Sequence, residues 1–130
     1  MRNSLLGMML GLPLILAGCG DSGGSTISVT MMAQMSSGQS GTAVLTDKGD
    51  TTQIVITTAG GSDSGAQAAH IHTGVCGSNG PILYPLNNVQ GGSGTTTVSA
   101  KLSTLTGGKT YINVHSSTNV ANIQSCGNIP

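Results

Sequence analysis

Phenylalanine and tryptophan are absent from this 130-residue chain, tyrosine occurs twice, and only 6% of the residues are charged, against about a quarter in an ordinary soluble domain. Without large rings the core must be built from Val, Ile, Leu, Ala and Met. Such a core is thin, and a covalent staple would support it. Four basic and four acidic residues cancel. With no basic stripe to neutralise phosphates, there is no electrostatic footprint for nucleic acid. Disordered chains are usually highly charged, so the near absence of charge also argues against disorder. The length fits one domain and is too short for a large α/β enzyme.

The first nineteen residues have the organisation of an export signal. Arg2 precedes an apolar run from Leu5 to Ala17 (LLGMMLGLPLILA), too short to span a bilayer as a mature helix. The run ends in Leu16-Ala17-Gly18-Cys19, which resembles the lipobox of bacterial lipoproteins. The resemblance implies removal of residues 1–18 as a signal peptide and acylation of Cys19. A lipid anchor would then hold the product to a membrane of the bacterial envelope, as a periplasmic or outer-membrane-associated protein. Residues 19–25 form the lipidated cysteine and a flexible Gly/Ser tether, and residues 26–130 the folded domain.

Apart from Cys19, two cysteines are left, Cys76 and Cys126. An exported compartment is oxidising, so an even pair indicates one disulfide. Its loop of about fifty residues is worth on the order of 4 kcal/mol in the chain-entropy model. The competing use, metal thiolates, lacks any C-x-x-C pattern.

Short β-branched runs recur between Gly, Ser and Asn clusters, the pattern of a sandwich or barrel. Strands are predicted at Ile27–Thr30, Thr42–Thr46, Thr52–Thr58, Ala68–Thr73, Ile82–Leu86, Thr95–Leu102, Lys109–His115 and Ala121–Cys126. Asp47-Lys48-Gly49-Asp50 makes a hairpin turn between the second and third. No stretch after the signal carries helical spacing, so no helix is predicted. About eight short strands in some hundred residues give an all-β fold, an antiparallel Greek-key sandwich or barrel.

Two motif matches are coincidences of a Gly/Ser/Thr-rich chain. Gly20-Asp21-Ser22-Gly23-Gly24 resembles the nucleophile loop of trypsin-like proteases, but no room precedes it for His and Asp partners. Gly108-Lys109-Thr110 resembles the end of a phosphate-binding loop, but Ser103 replaces the first glycine and a strand follows instead of a helix.

The chain has three histidines, and their spacing carries the chemistry. In His70-Ile71-His72 both imidazoles lie on one face of a strand, because side chains alternate. In Tyr111-Ile112-Asn113-Val114-His115, Ile112 and Val114 face the core, so Tyr111, Asn113 and His115 point outward. If the two strands are neighbours, His70, His72 and His115 converge as a three-imidazole metal site just outside the barrel wall. The bland alternative is three surface histidines on polar faces. Imidazole suits copper and zinc alike, and copper(II) has the higher intrinsic affinity. Tyr111 and Asn113, on the same face, are candidates to orient the imidazoles. The Met31-Met32-Ala33-Gln34-Met35 run could offer thioethers to copper(I), with Met31 and Met35 on one face. Filling a core poor in aromatics is its better use.

These residues resemble a family. Ala69-His70-Ile71-His72, Asn79-Gly80-Pro81-Ile82, Leu105, Gly107-Gly108 and Tyr111-Ile112-Asn113-Val114-His115 are similar to the CHRD domain, the module repeated in chordin and found singly in bacterial secreted proteins. The ending Ile123-Gln124-Ser125-Cys126-Gly127-Asn128-Ile129 departs from that domain and resembles the last strand of Cu,Zn superoxide dismutase. In that enzyme an H-x-H pair and a later V-H supply copper ligands, and a cysteine after the H-x-H pairs with one in the final strand. His70, His72, Val114-His115, Cys76 and Cys126 follow the same order. The likeness implies a superoxide dismutase-like barrel, an outward-facing copper site and a disulfide pinning the adjacent loop. No histidine lies between His72 and His115, so the zinc loop is missing, and Ile123 stands where an arginine would attract superoxide. Efficient dismutation is therefore not expected.

The expected function is an envelope lipoprotein that binds a metal, copper before zinc, for holding, transfer or weak redox chemistry. Asp63, the nearest acidic residue in sequence, sits in a Gly/Ser loop, and no general base is evident for zinc hydrolysis. The alternative is a non-catalytic β-sandwich that binds a protein or matrix partner.

Overall fold

The computed structural model describes residues 24–130. The signal peptide, Cys19 and most of the tether lie outside the described residues. Eight antiparallel strands follow in chain order: β1 (Thr26–Ala33), β2 (Gln39–Asp47), β3 (Thr52–Gly60), β4 (Gln67–Thr73), β5 (Ile82–Val89), β6 (Ser93–Val98), β7 (Thr110–His115) and β8 (Ile123–Ile129). One helical turn, α1 (Leu102–Leu105), lies between β6 and β7.

The strands are ordered β5-β4-β7-β8-β1-β2-β3-β6. β1 changes partner along its length: Thr26–Met31 pair with β2, whereas Met32 and Ala33 face Cys126 and Ser125 of β8. That switch joins two four-stranded layers along one seam. At the other seam, the Asn87 backbone N–H donates to Thr96 Oγ1 at 2.7 Å, and Asn87 Nδ2 donates to the Thr95 carbonyl at 2.8 Å. The result is a nearly closed barrel. β4, β5 and β6 succeed one another and β7 returns beside β4, which is the Greek-key connection.

Alternation explains why these segments are strands. In β3, Thr52, Ile54, Ile56 and Thr58 are buried while the residues between them are not, the period-2 pattern of a half-buried sheet. The core is aliphatic: Val29, Met31, Leu45, Ile54, Ile56, Ile71, Ile112, Val114 and Ile129 are all within 1% of complete burial. The β2–β3 turn forms as predicted. Lys48 N–H donates to the Thr51 carbonyl at 2.9 Å, Asp47 Oδ1 accepts the Gly49 N–H at 2.8 Å, and Gly49 takes φ 91°.

Three expectations are corrected. The strand predicted over Thr95–Leu102 stops at Val98, and Leu102 and Leu105 close the single turn α1 with both side chains buried. A four-residue turn is too short to register as helical periodicity. The methionine run does not alternate through to Met35: the strand ends at Ala33, and Met35 takes φ 50°. Met31 is fully buried while Met32 and Met35 are exposed. The tether ends earlier than residue 25, because the Ser25 carbonyl already accepts the Asp47 N–H at 2.9 Å.

A polar pair inside the barrel was not foreseen. Gln39 and Gln67, the first residues of β2 and β4, are buried and exchange amide bonds: Gln39 Nε2 to Gln67 Oε1 at 2.9 Å, and Gln67 Nε2 to Gln39 Oε1 at 3.1 Å. Removing one partner leaves the other buried and unpaired, which costs about 1–3 kcal/mol, whereas removing both is nearly neutral. Gln39→Leu is therefore expected to lower the melting temperature by roughly 4–20 °C for a domain of this size, and Gln39→Leu with Gln67→Leu to recover most of that loss. Thermal melts of the wild type, both single variants and the double variant check this.

Candidate metal centre

The register between β4 and β7 builds the site. Ala69 faces Val114, His70 faces Asn113, Ile71 faces Ile112, and His72 faces Tyr111. Ala69, Ile71, Ile112 and Val114 fill the core, so the pleat sends His70, His72, Tyr111, Asn113 and His115 to the opposite face. β-Bulges lie on both sides of the site. The β4–β5 register shifts between Ile71 and His72. The β7–β8 register shifts between Val114 and His115, where Gln124 is skipped. Such bulges re-aim side chains.

The outer face is not open, which corrects the expectation of exposed histidines. All six residues of β7 are buried, and His72 and His115 are each only 7% exposed. Two loops roof the site. The first, residues 74–81, is pinned by the Cys76–Cys126 disulfide, with Cα atoms 5.9 Å apart, and by Cys76 N–H donating to Asn128 Oδ1 at 2.8 Å. The second, residues 116–122, is held by Asp63, whose carboxylate accepts the backbone N–H and the hydroxyl of Ser117. Those bonds hold the Asp63 carboxyl at a pKa of about 2 against an ordinary 3.8. Asp63 is thus a loop clamp, not a group at the histidines.

Both loops direct imidazole nitrogens through backbone carbonyls. His72 Nδ1 lies 2.8 Å from the Gly80 carbonyl, and His115 Nδ1 lies 2.7 Å from the Val120 carbonyl. A carbonyl only accepts, so each Nδ1 carries the proton and each Nε2 presents a lone pair. His72 Nε2 is buried without a partner among the described residues. His115 Nε2 lies 3.0 Å from His70 Nδ1. One ligating nitrogen from each of the three residues lies within 4.8 Å of the others. Nitrogens sharing one ion at about 2.0–2.1 Å are at most ~4.2 Å apart. Three nitrogens set tetrahedrally or trigonally around one ion are ~3.3–3.6 Å apart, so the widest separation closes by up to ~1.5 Å through side-chain adjustment when all three meet one ion.

Tyr111 stacks on His72, ring centroids 5.0 Å apart and planes 15° from parallel, and its hydroxyl accepts the Gly80 N–H at 3.0 Å. It therefore touches both the imidazole and the loop peptide that holds it. A Cβ at Gly80 would collide with the Thr73 carbonyl, so only glycine allows this approach. Asn113 is 3% exposed, and its Oδ1 has no partner among the described residues. It lines a pocket of about 310 Å³ with His72, Tyr111, His115, Asn79, Gly80, Val120, Ala121 and Ile123. The Gly80 and Val120 carbonyls escaped the sequence reading. Asn79-Gly80-Pro81 carried a signal in its composition, whereas a carbonyl at Val120 carries none.

Burial first, and then repulsion from neighbouring imidazolium, holds His70 below its ordinary pKa; for His115 burial outweighs the opposing Val120 contact. Both are thus neutral, and competent as ligands, at pH 7. The unfolded chain, with ordinary histidines near 6.5, binds more protons than the folded one below that pH. Metal-free protein is expected to hold its full stability above about pH 6.5 and lose it as the pH falls through the depressed folded values. Urea unfolding in chelator from pH 8 to 5 checks this, and His70→Gln should flatten the slope. Replacing Cys76 and Cys126 by Ala should cost on the order of 4 kcal/mol in the same assay.

Comparison with known proteins agrees with the CHRD-like motifs. No curated protein and no solved structure matches the chain significantly. The family model of the CHRD domain matches residues 25–122, covering β1 to β7 with both roofing loops, and the chain belongs to the CHRD domain family.

Proposed function

We propose that this CHRD domain holds one copper ion through one imidazole nitrogen each of His70, His72 and His115, and serves to store or pass on copper, with slow redox chemistry at most. The carrying observation is the His72 imidazole: its Nε2 lone pair is buried, unpartnered and aimed beside the two other imidazoles. An unpaired buried acceptor costs about 1–3 kcal/mol, and a cation supplies what the protein withholds. Three imidazoles suit copper and zinc; copper is preferred because its divalent ion binds such a set more tightly. Among the described residues, no Lys, Arg, Asp or Glu lines the pocket. Anionic substrates would thus be captured without steering, which favours holding over rapid turnover. The lipobox-like residues around Cys19 support a place in the bacterial envelope, tethered by lipid, where copper and disulfides coexist.

A second reading, a module that binds a protein or matrix partner, draws on the exposed apolar side chains Val75 and Val120 on the two roofing loops. Metal stoichiometry separates the readings. Untagged protein from Ser25 onward is expected to take up one equivalent of copper(II) with nitrogen hyperfine splitting in its spin-resonance spectrum. Copper at 100 times its dissociation constant adds about 2.7 kcal/mol, or roughly 10–20 °C in melting temperature. His72→Ala and His115→Ala should each weaken binding by more than about 100-fold, beyond the usual effect of a supporting residue. Copper-free wild type, with a melt indifferent to copper and chelator, would leave the partner-binding reading.

A further inference from the structure

Asn113 sits at the centre of the site without a task in the fold. It faces His70 across the β4–β7 ladder and precedes His115 by two residues, so its side chain shares their face. It is almost completely buried, its Oδ1 has no partner among the described residues, and it lines the pocket beside His72 and His115. A carboxamide so placed costs free energy that an apolar residue of similar size would avoid. Nothing in the ladder needs it, since strand pairing uses only its backbone.

We propose that Asn113 is the positioning residue for a small exogenous ligand that enters the pocket and occupies the ion's open coordination position. This rests on the copper reading. Three histidines leave at least one position of a copper ion unfilled, and the pocket meets His72 and His115 on the side that Asn113 lines. The amide can donate through Nδ2 or accept through Oδ1. It therefore accommodates oxygen- or nitrogen-donor molecules, whether neutral or singly anionic. Tyr111 stacks on His72 and accepts the Gly80 N–H, and its hydroxyl keeps its own hydrogen as a further donor. Of the other lining side chains, Val120, Ala121 and Ile123 are apolar and Asn79 is solvent-exposed, which leaves the Asn113 amide as the buried side chain beside the imidazoles whose acceptor has no partner among the described residues.

The test titrates azide into copper-loaded wild type and into copper-loaded Asn113→Leu and Asn113→Ala, following the charge-transfer band and the spin-resonance spectrum. Copper stoichiometry and melting temperature are measured alongside. Retained copper with azide binding weakened on the order of tenfold, the loss of one hydrogen bond to a charged ligand, supports the proposal. A role confined to packing would move the melting temperature and leave the azide constant alone. Unchanged azide affinity at full copper loading overturns the proposal and leaves the copper site standing. Loss of copper from both variants also overturns it, since Asn113 would then hold the ion or the fold. Wild type that takes up no copper removes the underlying reading, and this inference with it.

Discussion

The antiparallel register of β4 against β7 is the constraint on which both the core and the site depend. With Ala69 opposite Val114 and Ile71 opposite Ile112, the inner face supplies aliphatic volume to a core that has no Phe or Trp. The same pairing places His70 opposite Asn113 and His72 opposite Tyr111 on the outer face. A slip of one residue would reverse both faces together, exposing Ile71 and driving imidazoles into the core. Hydrophobic burial thus locks the geometry of a polar site that contributes little to the fold itself.

A second layer converts that geometry into a prepared ligand set. The roofing loops supply two carbonyls that select the Nδ1-protonated tautomers of His72 and His115, and burial keeps the His70 and His115 rings neutral. Each loop has its own tie to the barrel. One is the disulfide to β8, the other the Asp63 carboxylate reaching from the β3–β4 connection. Backbone groups orient these imidazoles where a carboxylate often does so. That keeps fixed negative charge away from the centre and leaves the pocket lined by uncharged groups. On the proposed reading, this arrangement serves the holding of a cation rather than rapid turnover.

Several features of this protein follow from the order of residues alone. Period-2 alternation between turn clusters specified an all-β chain of about eight strands, because side-chain direction in a strand is a local property. H-x-H and Y-x-N-V-H placed five polar side chains away from the core for the same reason. Cys76 and Cys126 were the only partners for each other once Cys19 was set aside, and the disulfide joins them.

What only the tertiary structure decided concerns contacts between segments distant in sequence. The burial of the histidines comes from loops whose sequences look solvent-exposed, and their path depends on β8 and Asp63. The Gln39–Gln67 pair spans two strands whose facing ends no local pattern predicts. α1 forms because Leu102 and Leu105 find buried positions at the end of β6, not because four residues favour a helix. The carbonyls that set the tautomers carry no side-chain identity at all. Alternation is written residue by residue, whereas enclosure exists only after the chain has closed on itself, and the character of this candidate metal centre lies in its enclosure.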